Sequence, residues 1–265
     1  MNVFKYEMKQ YIKSSIIWSI SFILIIVILL QFLPMFLEES EALLSFFEGL
    51  GDLYISAMGI NVETFFSEVG FYSYIFTFVG LIAAIQAMHI GLNTISKENR
   101  MKTADFLMTK PKNRTAIYFS KLLACICSLV ITQILFYIVS YISMVIVTDG
   151  DFAFTSFALI SLSFTFIQMI FLTLGIFVAT IITKMKSVIS ITMGISFGFF
   201  LFGMMSEITS SKVLKYFALL RYFDSNYIMA NNAYETKFLA ISIAIPIVLT
   251  IASYIIYVKK DVPSV

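Results

Sequence analysis

Long apolar runs alternate with short polar segments along this chain, and the runs set the expected architecture. Six of them, at about residues 14–37, 71–95, 115–147, 152–183, 187–205 and 238–258, carry almost no charge. A helix rises about 1.5 Å per residue, so ~20 apolar residues cross a hydrocarbon core of ~30 Å. Each run is long enough. The pattern predicts an all-α, polytopic integral membrane protein with six transmembrane helices in a single domain covering residues 1–265. A membrane β-barrel would show shorter, alternating segments. The third and fourth runs exceed what a bilayer needs and should tilt or project. Asp149-Gly150 between them marks a tight hairpin.

The first run follows Lys5, Lys9 and Lys13. It is longer than a signal-peptide core, and no small-x-small cleavage pattern follows it, so it reads as a retained span. An even number of spans puts both termini on one side. With that side cytoplasmic, it holds Lys5, Lys9, Lys13, the seven basic residues between 97 and 121, Lys184, Lys186, Lys259 and Lys260. The other side keeps Lys212, Lys215, Arg221 and Lys237. The excess of Lys and Arg inside orients the chain, with both termini cytoplasmic.

Composition agrees: 60% of the 265 residues are hydrophobic and 13% are charged, with mean hydropathy +0.93. A net charge of +2 gives no reason to expect nucleic acid. The outer loop 38–70 holds Glu38, Glu39, Glu41, Glu48, Asp52, Glu63 and Glu68 and no basic residue. It reads either as a cation-collecting mouth or, more simply, as a soluble loop. The outer segment 206–237 is aromatic and semi-polar. Its spacing predicts an interfacial or re-entrant helix before the last span, with Tyr216, Tyr222 and Tyr227 at headgroup level.

Candidate chemistry is sparse. No phosphate loop, H-E-x-x-H or G-x-S-x-G pattern occurs, and no carboxylate lies at the centre of a span. Cys125 and Cys127 have no second pair or nearby histidine, so they form no metal site. His89, the lone histidine, either relays protons or binds a substrate group, or it bonds to a carbonyl or water near a helix end. Gln86, Gln133 and Gln168 are the deepest polar side chains, and two readings stand. They line a path, or they bond across helices at about 1 kcal/mol each. Gly194 and Gly198 form G-x-x-x-G in the fifth span, a spacing that lets another helix approach closely.

The longest charged stretch is "SKENRMKTADFLMTKPKNR", residues 96–114. Thr103 suits the N-cap of a short helix over about 104–109, Asp105 favours its dipole, and Pro111 ends it. That helix would present Phe106, Leu107 and Met108 outside the bilayer, as a docking knob or as a helix resting on headgroups.

This stretch resembles the signature of ABC type-2 transporter permeases, roughly E-x-x-x-G-T-x-E-x-L-L-x-x-P-x-x-R followed by a lysine that opens the next span. Glu98, Thr103, Asp105, Leu107, Pro111, Arg114 and Lys121 stand at the matching spacings. Lys102 replaces the usual glycine and Asp105 the common glutamate. "RYFDSNYIM" is similar to that family's outer aromatic segment, without its proline.

The resemblance implies that 96–114 is a cytoplasmic coupling loop whose short helix rests in a groove of a separate ATPase subunit. It also implies an N-terminal interfacial helix over 1–13, with Phe4, Met8, Tyr11 and Ile12 on one face. The expected function is the permease subunit of an ATP-driven exporter in a bacterial plasma membrane, moving a peptide, drug or other amphipathic compound. No cofactor is expected on this chain. ATP and Mg belong to two ATPase copies, and a second permease, identical or homologous, completes the path within the lipid bilayer. A non-transporting sensor or immunity subunit is the competing reading. A membrane-embedded enzyme ranks lower, because no nucleophile–base or carboxylate pair is visible.

Overall fold

The computed structural model describes residues 3–50, 62–100, 113–182, 185–209 and 211–259. Among them, all regular structure is helical. The helices are α1 (Val3–Leu30), α2 (Leu33–Glu38), α3 (Ser40–Leu50), α4 (Val62–Phe65), α5 (Glu68–Arg100), α6 (Arg114–Thr148), α7 (Phe154–Ile181) and α8 (Val188–Thr209). Then come α9 (Lys212–Phe217), a 3-10 turn (Leu219–Arg221), α10 (Ser225–Asn231) and α11 (Thr236–Lys259). Six helical stretches are long and apolar enough to cross a membrane, as the hydrophobic pattern predicts.

Two boundaries differ from the sequence reading. Residues 3–13 do not form a helix of their own. They are the first turns of α1, which runs unbroken into the span. The run 14–37, expected as one helix, breaks after Leu30 and restarts at Leu33. Pro34 explains the break: it has no N–H to give, and its ring would strike the carbonyl one turn back. Placed in the first turn of α2, the same proline is harmless.

The 35-residue α6 is about 52 Å long and so outreaches the hydrocarbon core, as expected. Asn113 caps it, accepting from the Thr115 N–H at 3.1 Å. At its far end Asp149 (φ 53°) and Gly150 (φ 83°) turn the chain left-handed into α7, which is the hairpin the Asp-Gly pair predicts.

At the centre of the bundle α5 packs along α7, with α1 on α6, α8 on α5, and α11 across α7 and α6. The α5–α7 crossing is a backbone contact. A Cβ on Gly91 would lie 2.3 Å from the Leu172 carbonyl oxygen, and one on Gly175 would lie 2.6 Å from that of Met88. Only glycine at both positions lets these helices meet. Beside them Phe22, Phe136 and Phe164 join α1, α6 and α7, with the last two rings stacked at 4.5 Å. The G-x-x-x-G pair behaves differently: a Cβ on Gly194 or Gly198 meets nothing within 4 Å.

Candidate functional site

Side-chain contacts sort the bundle into two ends. The starts of α1 and α6 and the last turns of α5 and α11 meet at one end, which carries Val3 and Lys259, the first and last described residues. Arg114 Nη1 donates to the Val258 carbonyl at 3.0 Å, and Tyr118 OH bonds Ser253 Oγ at 2.6 Å. A cation on the last carbonyls of α11 also suits the negative end of that helix.

Inside this end lies a buried ion cluster. Glu7 of α1 is 2% exposed, Lys97 of α5 is 6% and Lys121 of α6 is 1%. Lys97 Nζ donates to Glu7 Oε2 and, at 2.8 Å, to Gln10 Oε1. Lys121 Nζ stands 3.9 Å from Glu7 Oε1 and donates to the Thr94 carbonyl at 2.8 Å. Thr94 spends its hydroxyl proton on the Ile90 carbonyl, so Tyr11 OH is the donor to Thr94 Oγ1. The Lys97 ammonium also lies 5.7 Å from the ring centres of Tyr6 and Tyr11.

One carboxylate on the first helix thus holds the two lysines that bracket residues 98–120. Charges this deeply buried depend on well-placed partners, and removing one partner strands the others.

The other end carries the aromatic segment. Lys215 lies 3.5 Å from both Asp224 Oδ2 and Glu235 Oε2, and Lys237 lies 2.6 Å from Glu235 Oε1. Burial alone would raise the Glu235 pKa, but the hydrogen bond from Lys237 and the charges of both lysines hold it below the usual carboxylate range. Tyr222 OH donates to the Tyr216 carbonyl, and burial pushes its pKa up to about 12. Tyr234 OH donates to the Leu159 carbonyl at 2.6 Å, and Thr64 Oγ1 to Asn226 Oδ1 at 3.1 Å. The segment is therefore tied into the bundle on α4 and α7.

A family model described as "ABC-2 family transporter protein" matches residues 1–262, nearly the whole chain. This chain belongs to that family. No curated protein matches it. It is a multi-pass, membrane-embedded permease component of an ABC transporter, and membership implies association with an ABC ATPase subunit.

In this ABC-2 permease the expected coupling residues divide. Arg114 and Lys121 sit at the root of the loop in the contacts just given. Glu98 lies in the last turn of α5. The side chain of Glu98, and all of Thr103, Asp105, Phe106, Leu107, Met108 and Pro111, fall outside the described residues.

Of the three glutamines, two are spent on neighbours. Gln168 Nε2 donates to Gln86 Oε1 at 3.0 Å, and Gln86 Nε2 to Thr132 Oγ1 at 3.1 Å. Both are buried, so in this arrangement they cross-link α5, α6 and α7 instead of facing a lumen. Gln133 is partly exposed, and its Oε1 is buried without a hydrogen bond. Tyr11, Phe4 and Met8 turn inward, whereas Ile12 is 46% exposed and leaves the predicted face.

The sequence reading passed over Glu7, Gln10, Thr94 and Lys97 as site residues. A signal was present: Glu7 is the only acidic residue before Glu38, and it sits among three lysines ahead of an apolar run. What it pairs with depends on helix packing and has no local signature.

Proposed function

We propose that this chain is the membrane-spanning half of an ATP-driven exporter for a peptide, drug or other amphipathic compound. Both termini and the 96–114 loop face the cytoplasm of a bacterial cell. ATP and Mg2+ act on two copies of a separate ATPase subunit, which dock on the short helix after Thr103. A second permease, identical or homologous, packs against this one, and the open glycine face of α8 at Gly194 and Gly198 suits that contact.

One observation carries the reading. The two stems of the family-signature loop, at Lys97 and Lys121, are pinned to the same carboxylate, Glu7, inside the bundle. A push on the loop is then delivered to α1, α5 and α6 together, which is what coupling of a soluble motor to a membrane path requires. The chain's own residues transmit and position; the chemistry of ATP resides on the partner.

The test is partner retention on a tagged permease. Truncating Phe106 and Leu107 together to alanine removes apolar interface anchors worth ~1–3 kcal/mol each. The expected result is loss of the ATPase by about tenfold or more, with membrane insertion intact. Neutralising Lys110 and Lys112 should mainly change salt sensitivity. Full retention by the Phe106→Ala, Leu107→Ala variant, with normal ATP turnover, would remove the coupling role.

A further inference from the structure

Arg221 ends the 3-10 turn between α9 and α10, at the end of the bundle away from Val3 and Lys259. At the same end Lys215 and Lys237 are paired with Asp224 and Glu235. The Arg221 guanidinium makes no ion pair or hydrogen bond with any described residue, yet it is partly buried and seated in a fixed bed. Its stem lies over Gly203 of α8, where a Cβ would come within 3.1 Å of Arg221 Cγ. The glycine makes the room that the arginine fills.

Two cavities of about 20 Å3 each adjoin Arg221, and Thr77 and Ser225 line both. One is walled by Phe76, Ile167, Phe200, Leu220 and Phe223. The other is walled by polar side chains, among them Thr64, Ser73, Asp224 and Asn226. The Asp224 carboxylate is already committed, accepting from the Asn226 N–H at 3.0 Å and pairing with Lys215. Each space admits about one water-sized atom. That fits oxygens of a headgroup reaching in from the membrane, and it is too small for a whole cargo molecule.

The depth agrees. On the same segment Val213, Tyr216, Phe217 and Tyr227 are exposed, the mixture of apolar and hydroxylated rings found at headgroup level. A guanidinium offers a planar fork of donors that matches phosphate, and a partly desolvated fork without an acceptor is costly.

We propose that this cleft binds the phosphate headgroup of an anionic phospholipid, with Arg221 pairing the phosphate and single phosphate oxygens entering the two small spaces beside it, while the acyl chains stay outside in the bilayer. This site is independent of the coupling reading and can be tested on the purified chain alone. The thermal midpoint is measured in dodecyl maltoside against diheptanoyl-phosphatidylglycerol, diheptanoyl-phosphatidylcholine and inorganic phosphate.

Phosphatidylglycerol should raise the midpoint saturably, phosphatidylcholine less, and inorganic phosphate not at all. Arg221→Gln should need about tenfold more lipid for the same shift. Arg221→Lys, which keeps the charge without the fork, should fall between. Lys9→Gln, an exposed charge at the opposite end, should behave as the parent chain. Equal titrations for the parent and both Arg221 variants would overturn the site. So would an equal loss in Lys9→Gln, which would mean general charge attraction. A full shift from inorganic phosphate or from phosphatidylcholine would overturn the assignment to an anionic lipid. If Arg221→Gln fails to fold, the Arg221→Lys titration decides alone: unchanged lipid demand sinks the proposal.

Discussion

Each end of the bundle holds one carboxylate between two lysines. At one end Glu7 stands between Lys97 and Lys121; at the other, Glu235 stands between Lys215 and Lys237. The far end adds a second carboxylate, Asp224, on Lys215, and the surroundings differ more than the pairing does. The Glu7 side chain is 2% exposed and its two lysines come from different helices, α5 and α6. The Glu235 side chain is 21% exposed, and its partners lie 20 and 2 residues from it in the chain, Lys237 being 57% exposed. Water screens the second group and can replace any member of it. It cannot reach the first, so there the three charges stand or fall together. Burial, not pairing, separates a joint between helices from a decorated surface.

The largest break in that contrast should come from Glu7→Ala. Stranding two buried ammonium groups should cost about 3–5 kcal/mol, read as a lowered unfolding midpoint of the detergent-purified chain. The triple change Glu7→Leu, Lys97→Met, Lys121→Met removes every charge and should restore most of that stability, since well-packed apolar replacements of buried ion clusters are often neutral. If the cluster links the loop to the helices, the triple variant should still lose substrate-stimulated ATP turnover in the assembled transporter. Normal turnover would reduce the cluster to packing.

The next effect lies midway between the ends, where α5 crosses α7. Gly175→Ala puts a methyl 2.6 Å from a backbone oxygen that cannot move aside freely, and overpacking of this kind costs about 1–3 kcal/mol. Gly198→Ala, with nothing within 4 Å, should leave the isolated chain as stable as before, because alanine is the better helix former. Equal losses would mean that the crossing can relax.

At the far end, Lys215→Ala should cost only about 0.2–1 kcal/mol, less as salt rises. Smallest of all should be an acid effect carried by Glu235. Its folded-state pKa is depressed, so its contribution is present above the unfolded value of about 4.3 and is lost as pH falls through the lower folded value. Stability should therefore be flat above about pH 5.5 and decline in acid, with a shallower decline in Glu235→Gln. A decline that begins near neutrality would assign the titration to another group.

The family resemblance of residues 96–114 was legible in the sequence because its spacing is local: Glu98, Thr103, Pro111 and Arg114 stand within one stretch. The root of that stretch was not. Glu7 stands 90 residues from Lys97 and 114 from Lys121, and no spacing rule connects them. Gly91 and Gly175 were passed over for a similar reason, each being a single glycine on its own helix. The pair Gly194 and Gly198 stands out by its pattern but packs on nothing among the described residues. The glutamines show the limit of depth as a guide. Hydropathy places Gln86 and Gln168 in the membrane's middle, but only the mutual approach of α5, α6 and α7 brings them within 3.0 Å of each other.

What the sequence determined by itself follows from transfer energetics. Twenty apolar residues must span the bilayer as a helix, and that is a sum over neighbouring residues. It also placed the left-handed turn at Asp149-Gly150, because that conformation depends on the residues that adopt it. Tertiary structure decided the rest. Lipid offers no hydrophobic drive between helices, so pairings rest on close backbone approach and on polar groups that find one another across the bundle. Such contacts join residues far apart in the chain. Which glycines touch, which glutamines are spent and which carboxylate holds both stems of the loop were therefore settled only when the helices were set side by side.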